Sequence, residues 1–282
     1  MSDPIESFGD EPSEGFSRTV LVTGASSGIG RATAELLAGL GWRVLAVARR
    51  QERLAELAAE SGAIPIACDL TRDEDVARLV EAARAHGPIH ALVNIAGGAL
   101  GADSVEAGSI DEWRWMYEVN VIATKRLVTA MLPLLREAAG EHDETGLAHA
   151  DIVTVTSTAA TTPYERGAGY NAAKAAERML VKVLRLELAG EPIRVVEIAP
   201  GMVQTEEFSA VRFRGDEAAA ARVYEDVDHP LVAEDVAATI ATALELPGHV
   251  NLDEVTVRPV AQAAQHKLVR GELRVKSQEA GR

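Results

Sequence analysis

Short apolar runs alternate with amphipathic segments along most of the chain. Three runs rich in apolar residues, Arg18–Thr23, Trp42–Ala48 and Ala63–Ala67, predict buried strands. Apolar residues recur at helical spacing in Gly30–Leu40 and Gln51–Ser61, which predicts helices between those strands. The alternation then continues through predicted strands at Ile89–Asn94, Ala150–Thr156, Ile193–Ile198 and Val255–Val257, and predicted helices at Asp73–Ala85, Ile110–Arg136, Tyr170–Ala189 and Ala233–Leu244. We expect the long helix Ile110–Arg136 to break near Pro133.

This order of elements predicts an α/β fold. Strands that alternate with helices pair in parallel through right-handed crossovers. We therefore expect a doubly wound sheet of about seven parallel strands with helices on both faces. The composition does not change in a way that marks a second domain, so residues 18–260 are expected to form a single domain. Residues 1–17 are expected to be a disordered acidic tail and residues 261–282 a C-terminal tail.

Composition narrows the class of protein. Of 282 residues, 47% are hydrophobic, which argues against disorder over most of the chain. The net charge of −15, without a basic run, argues against nucleic-acid binding. No apolar run reaches the roughly 18 residues of a membrane span, and residues 1–17 do not resemble a signal peptide, so we expect a cytoplasmic protein. The single cysteine, Cys68, and the scattered histidines predict no metal site.

A glycine-rich turn follows the first predicted strand and precedes the first predicted helix. It reads Thr23-Gly24-Ala25-Ser26-Ser27-Gly28-Ile29-Gly30. Glycine lets a ligand approach the backbone, and the N–H groups of the helix N-terminus suit a pyrophosphate. The spacing differs from the common dinucleotide fingerprint, and a tight turn alone would also use glycine. The position between strand and helix favours nucleotide-cofactor binding.

The residues after the second strand indicate which nicotinamide cofactor is used. An acidic residue about 20 positions after the glycines would select NAD through the ribose 2′-hydroxyl. Ala48 stands there, and Arg49 and Arg50 follow, which suits the 2′-phosphate of NADP. The alternative is that both arginines are solvated residues at the start of a helix. Asp69, with Leu70 beside it, is placed to meet the adenine ring, although Asp69 also suits a helix cap.

Four polar residues form a candidate catalytic set. Tyr170 and Lys174 lie four residues apart on a predicted helix and so share a face. A nearby ammonium favours the phenolate form of a tyrosine, which suits acid–base chemistry on a carbonyl or an alcohol. Ser157, after the fifth strand, is placed to donate to the same substrate oxygen. Asn120 lies in a long helix, where a polar group could hold a water that links Lys174 to solvent. The tyrosine–lysine spacing alone would also fit a surface pair.

Taken together, these motifs resemble the short-chain dehydrogenase/reductase family over nearly the whole chain. The matching residues are Thr23–Gly30, Asn94–Gly97, Asn120, Ser157, Tyr170–Lys174 and Pro200–Thr205. The resemblance implies a Rossmann sheet, hydride transfer with a nicotinamide, and dimers or tetramers. It implies that Tyr170 is the acid–base residue, Ser157 polarises the substrate, Lys174 tunes Tyr170 and binds ribose, and Asn120 belongs to a proton relay.

The resemblance also assigns further cofactor contacts. They are Asn94, Ala96 and Gly97 at the adenosine ribose, and Pro200, Gly201, Val203 and Thr205 at the nicotinamide end. Ile95 departs from the family pattern, which has a second asparagine there. We expect a backbone contact at that position to survive and a side-chain hydrogen bond to be lost.

The segment after Thr205 is similar to NADP-dependent 3-hydroxy acid dehydrogenases, including serine and L-allo-threonine dehydrogenases. A small hydroxy acid such as 3-hydroxypropionate needs a cation to bind its carboxylate. Arg212 or Arg214 would supply one if the segment, with Glu206 and Phe208, folds over the site as a lid. The alternative is that both arginines pair with Asp216 and Glu217 at the surface.

Two other functions remain open. The chain would also fit a reductase acting on other ketones, aldehydes or secondary alcohols. A cofactor-sensing protein is the other possibility, although it would not need Ser157, Tyr170 and Lys174. The acidic segment Glu137–His149 is longer than the usual connection at this place in the family that the chain resembles.

Overall fold

The computed structural model describes residues 18–140 and 148–275. The proposed tail 1–17, most of the acidic segment Glu137–His149, and residues 276–282 lie outside this part of the chain. The strands are β1 (Thr19–Thr23), β2 (Arg43–Ala48), β3 (Ile64–Ala67), β4 (Ala91–Asn94), β5 (Ala150–Val155), β6 (Ile193–Pro200), β7 (Val203–Gln204), β8 (Leu231–Val232), β9 (Glu254–Val257), β10 (Gln262–Ala264) and β11 (Lys267–Leu268). The α-helices are α1 (Gly28–Gly39), α2 (Gln51–Ser61), α3 (Asp73–Arg84), α4 (Ile110–Tyr117), α5 (Ala123–Ala139), α6 (Ala168–Glu187), α7 (Phe208–Arg212), α8 (Glu217–Arg222) and α9 (Ala233–Leu244).

Seven of these strands form one parallel sheet. Their order is β3-β2-β1-β4-β5-β6-β9, and every neighbouring pair is parallel. The predicted doubly wound α/β fold is confirmed. The strand order reverses between β1 and β4, and such a reversal opens a crevice at the carboxyl ends of the strands.

Both faces of the sheet are buried, as the apolar strand runs predict. Along β1, Val20 and Val22 pack into one apolar cluster with helices α1 and α9. Leu21 points to the opposite face and packs into a second cluster that includes residues of α3, α5 and α6. Successive side chains of a strand alternate between the two faces, so one apolar run supplies both cores.

The predicted break near Pro133 is wrong. Helix α5 continues through Pro133 to Ala139, and its inner face buries Leu127, Met131 and Leu135. This packing outweighs the hydrogen bond that proline removes. The helical stretch is instead irregular at Glu118–Ile122, which forms a π-helical turn between α4 and α5. No helix in residues 18–140 and 148–275 is long and apolar enough to span a bilayer.

The C-terminal segment returns to the carboxyl edge of the sheet. Strands β10 and β11 form a short antiparallel pair there. Gln262 is buried, and its side-chain carbonyl accepts a hydrogen bond from the backbone N–H of Met202 at 2.9 Å. The start of the predicted C-terminal tail, residues 261–282, therefore packs against the loop that follows β6.

A buried ion pair joins β5 and β6 near the amino ends of these strands, opposite the cavity. Arg194 of β6 donates to both carboxylate oxygens of Asp151 on β5, at 2.6 and 3.0 Å. The same guanidinium also donates to the carbonyl oxygens of Leu244, Leu246 and Val250. It thus connects two central strands to the end of α9.

We predict that Asp151→Asn lowers the free energy of unfolding by about 3 kcal/mol, because Arg194 would keep a buried charge without a counter-ion. Urea unfolding followed by circular dichroism measures this. The matched control is Glu191→Gln, which breaks the exposed pair between Arg136 and Glu191 and should change stability little. Equal effects of the two substitutions would contradict the prediction.

Candidate active site

A cavity of about 620 Å³ opens at the carboxyl ends of the strands. Most of the predicted site residues line it: Gly24, Ser26, Ser27, Gly28, Ile29, Gly30, Arg49, Arg50, Asp69, Leu70, Ala96, Gly97, Ser157, Tyr170, Pro200, Gly201, Val203, Thr205 and Arg212. Asn94, Asn120 and Lys174 are buried close to it. The structure therefore brings together residues from nine separate segments of the sequence, spread between Gly24 and Arg212.

The glycine loop has a conformation that needs glycine. Gly24 and Gly28 have φ angles of +70° and +49°, in the left-handed region. A Cβ atom on Gly30 would lie 2.2 Å from the carbonyl oxygen of Gly24. The start of α1 is thus packed directly on the preceding turn, and its free N–H groups are in the cavity wall.

The hydroxyl of Thr23 connects this loop to the end of β4. Its oxygen accepts hydrogen bonds from the backbone N–H groups of Ile95 at 2.9 Å and Ala96 at 3.0 Å, and donates to the carbonyl of Val93. The departure from the family pattern at Ile95 leaves this backbone contact in place. The Ile95 side chain packs against the apolar cluster on the α1 side of the sheet.

Arg50 faces the glycine loop. Its guanidinium donates to the hydroxyls of Ser26, at 2.8 Å, and Ser27, at 3.0 Å. It also pairs with Glu207 at 2.6 Å, and Ser27 donates to the same carboxylate at 3.0 Å. The hydrogen bond from Arg50 lowers the pKa of Glu207. Arg50 is therefore part of the cavity wall and is not only a solvated residue at the start of α2.

Asp69 lies on the same side of the cavity, after β3. Its carboxylate accepts hydrogen bonds from the backbone N–H and hydroxyl of Thr71, at 3.0 and 2.7 Å. Burial alone would raise the pKa of Asp69, but these bonds and the charges of Arg49 and Arg72 lower it. Asp69 remains ionised and fixes the turn that leads into α3.

Ser157 and Tyr170 also line the cavity. Ser157 lies two residues after β5, and its side-chain oxygen accepts a hydrogen bond from the N–H of Ala159 at 3.1 Å. Tyr170 lies in the first turn of α6 and is 9% exposed. The ring of Phe208 meets the Tyr170 ring edge-on, with centroids 5.6 Å apart. The segment after β7 therefore covers the tyrosine.

Lys174 and Asn120 lie behind the wall formed by Gly97. A Cβ on Gly97 would lie 2.5 Å from the side-chain oxygen of Asn120 and 3.7 Å from the Lys174 nitrogen. The Asn120 amide donates to the carbonyls of Gly98 and Met116 and accepts from the N–H of Gly98. Its side chain thus holds the turn after β4 in place.

The two candidate substrate cations have different surroundings. Arg214 pairs with Asp103 and Glu112, at 2.6 and 2.7 Å. Arg212 lines the cavity and stacks over the Tyr164 ring, 5.1 Å from its centroid. The Nε atom of Arg212 is buried and has no hydrogen-bond partner among the described residues. Within the described residues, neither arginine pairs with Asp216 or Glu217.

Sequence reasoning missed several cavity residues. Tyr164, Trp115, Tyr224, Gln262 and Gln265 all line the cavity. Nothing local in the sequence marks them, because long-range packing brings them to the site. Within residues 18–140 and 148–275, no group of three or more His, Cys, Asp or Glu side chains could hold a metal ion.

Comparison with known proteins agrees with this geometry. Residues 18–214 match the family model described as short chain dehydrogenase. The chain belongs to the short-chain dehydrogenase family. As expected for that family, it is an oxidoreductase enzyme.

Three similar proteins place the chain within the family. An uncharacterised oxidoreductase of Mycobacterium tuberculosis (strain ATCC 25618 / H37Rv) is 48% identical, over 88% of this chain and 93% of its own length. Sulfoacetaldehyde reductase 2 of Chromohalobacter salexigens is 39% identical, over 88% of this chain and 96% of its own length. The closed form of a serine dehydrogenase complexed with NADP+ superposes with a TM-score of 0.81 at 34% identity, over 92% of this chain and 100% of that one.

We predict that Gly30→Ala destabilises this short-chain dehydrogenase by about 1–3 kcal/mol, because the new methyl group has no room against the Gly24 carbonyl. Gly39→Ala, in the same helix, is the control. A Cβ there meets nothing within 4 Å, so this change should be neutral or stabilise by up to about 1 kcal/mol. Urea unfolding of both variants tests the pair, and a stable Gly30→Ala variant would contradict the close packing.

Proposed function

We propose that the protein is an NADP-dependent dehydrogenase that transfers hydride between the nicotinamide and a small hydroxy acid such as serine, allo-threonine or 3-hydroxypropionate. The observation that carries the proposal is the Arg212 guanidinium, which faces the same cavity as Ser157 and Tyr170 and keeps a buried N–H without a partner among the described residues. A substrate carboxylate bound there would place its hydroxyl end toward the serine and tyrosine.

The residues present fit NADP. Gly30 packs closely on the Gly24 carbonyl, and the backbone N–H groups at the start of α1 suit a pyrophosphate. Arg50, Ser26 and Ser27 offer N–H and O–H donors beside it, which suit a 2′-phosphate. Ala48 has no carboxylate to bind a ribose 2′-hydroxyl. The serine dehydrogenase with the similar fold was solved with NADP+.

The chemistry needs an acid–base residue and a polarising donor. When bound, the nicotinamide accepts or supplies the hydride. In alcohol oxidation, we propose that Tyr170 as phenolate takes the hydroxyl proton while the carbon–hydrogen bond breaks and the carbonyl forms. Ser157 donates a hydrogen bond to the same oxygen, and Lys174 favours the phenolate. In carbonyl reduction, Tyr170 returns the proton.

The lid and the buried residues complete the proposed site. Phe208 and Arg212 lie on α7, which covers the tyrosine and excludes water. Asn120 holds the turn at Gly97 and Gly98 and belongs to the proposed proton relay. Asn94, Ala96 and Gly97 would contact the adenosine ribose, and Pro200, Gly201, Val203 and Thr205 the nicotinamide end.

An anionic substrate of another kind would use the same cation. A relative at 39% identity is named sulfoacetaldehyde reductase, and a sulfonate accepts the hydrogen bonds of a guanidinium as a carboxylate does. The panel below therefore includes 2-hydroxyethanesulfonate. Neutral ketones, aldehydes and secondary alcohols form the alternative substrate class.

We also propose that the protein forms homo-oligomers. Helix α6 exposes Met179, Val183 and Leu186 along one stripe, and such an apolar stripe suits contact with a second subunit. Together with the family resemblance, this supports a homodimer or homotetramer.

We predict NADP reduction at 340 nm with one or more of L-serine, D-serine, L-allo-threonine, 3-hydroxypropionate, 3-hydroxyisobutyrate and 2-hydroxyethanesulfonate, and loss of that activity in Tyr170→Phe. Activity that survives in Tyr170→Phe would overturn the assignment of the acid–base residue. Turnover of neutral alcohols alone would overturn the substrate class.

We predict that Arg212→Gln raises KM for the anionic substrate about 100-fold, because it removes a charge-assisted hydrogen bond. The change for a neutral analogue, the methyl ester, should be much smaller. Arg222→Gln, an exposed arginine of the neighbouring α8, serves as control. An equal loss with acid and ester would contradict a role in binding the anion.

We predict that Arg50→Gln weakens NADPH binding at least 10-fold and NADH binding less, because only NADPH carries the 2′-phosphate. Titration of nucleotide fluorescence measures both affinities without turnover. Arg53→Gln, on the exposed part of α2, is the control and should leave both unchanged. Parallel losses for the two nucleotides would assign Arg50 to a different part of the cofactor.

A further inference from the structure

Lys174 makes a buried contact that the proposed chemistry does not call for. Its ammonium donates to the carboxylate of Glu177 at 2.6 Å and to the carbonyl of Val155 at 3.2 Å. Lys174 is 4% exposed and Glu177 is 1% exposed. Two of the three ammonium N–H groups are thereby committed, and the ammonium nitrogen lies 3.7 Å from the point where a Cβ on Gly97 would stand.

Glu177 continues the face of α6 that carries the candidate catalytic residues. Tyr170, Lys174 and Glu177 stand at positions i, i+4 and i+7, which form one stripe on a helix. The other carboxylate oxygen of Glu177 is 3.2 Å from the hydroxyl of Thr124, which donates at 2.8 Å to the backbone carbonyl of Asn120. A continuous set of polar groups therefore runs from Lys174 to Asn120.

The buried Lys174–Glu177 ion pair is not explained by a gain in the stability of the fold. Removing two charges from water costs as much as their attraction returns, and apolar residues of the same volume often stabilise a core more. Glu177 also acts on Lys174 through its charge. Burial opposes the ammonium form of Lys174, but the charge of Glu177, together with Tyr170, outweighs it, so the pKa of Lys174 is raised.

Other charged groups also face this cluster. Glu197 of β6 is fully buried and accepts a hydrogen bond from Thr156 at 2.6 Å, with Arg178 of α6 at 3.5 Å. Tyr164 and Arg212 lie on the cavity side of Tyr170. Among the described residues, Glu177 is the charged side chain that contacts the Lys174 ammonium directly.

We propose that Glu177 is a positioning residue for the acid–base pair, holding the Lys174 ammonium in place and setting how strongly its charge acts on Tyr170. The proposal rests on the assigned roles of Tyr170 and Lys174. The carboxylate partly cancels the field of the ammonium at the phenol. Without it, and with Lys174 still protonated, the phenolate would form at lower pH.

The test is an absorbance titration at 295 nm, where phenolate absorbs, on the protein without substrate. The chain has four tyrosines, so each spectrum is compared with the same protein carrying Tyr170→Phe to isolate the Tyr170 signal. In Glu177→Gln we expect the Tyr170 midpoint to fall by about one pH unit. Glu187→Gln, exposed on the same helix, should leave the midpoint unchanged.

A second variant separates charge from structure. Glu177→Asp keeps the negative charge and should keep the midpoint near that of the parent protein, even if shorter reach lowers kcat. NADPH titration and thermal unfolding show that each variant is folded. An unchanged midpoint in a folded Glu177→Gln variant overturns the proposal, as does a midpoint in Glu177→Asp that moves as far as in Glu177→Gln.

This readout does not depend on the substrate. If no hydroxy acid is turned over but the midpoint shifts as expected, the substrate class fails and the role of Glu177 stands. If Tyr170→Phe abolishes turnover and Glu177→Gln leaves both the midpoint and the pH profile of kcat unchanged, the proposed function stands and the role of Glu177 fails.

Discussion

The hydroxyl of Thr23 ties together the two strands between which the cleft opens. A hydroxyl has one donor and accepts two hydrogen bonds, and the Thr23 contacts to Val93, Ile95 and Ala96 use all three. They fix the backbone where β1 and β4 diverge. A Cβ on Gly24 would lie 3.1 Å from the Ala96 nitrogen, so the two turns touch backbone to backbone. The arrangement of the cavity wall depends on this contact.

The fold and most of the cavity could be predicted because their signals are local. Apolar runs mark the strands, and glycine at a strand–helix turn marks the close approach at Gly30. Arg212 and Arg214 show the opposite case. They are two residues apart, but Arg214 is held by Asp103 and Glu112, more than 100 residues earlier in the chain. Only the folded structure decides which arginine faces the cavity.

The helices show the same limit of prediction from local sequence. Local rules predict a break at Pro133, yet the buried face of α5 keeps the helix continuous there. The π-helical turn at Glu118–Ile122 has no clear local signal, and it lies where the buried Asn120 contacts Gly98. Spacing likewise places Glu177 on the face of Tyr170 and Lys174. It does not reveal burial, which depends on α5 and β6 packing over that face.

The cations of the cavity have counter-ions of two kinds. Glu207, which pairs with Arg50, is partly exposed on the cavity wall, so under the proposed function an incoming phosphate would displace it. Glu177 is enclosed beside Lys174, so no ligand reaches it. A buried charge needs a permanent partner, whereas a charge that binds a ligand needs a partner that can leave. Under the proposed function, this division lets an acidic chain offer Arg50 and Arg212 to anionic ligands, while the ammonium of Lys174 keeps its buried counter-ion.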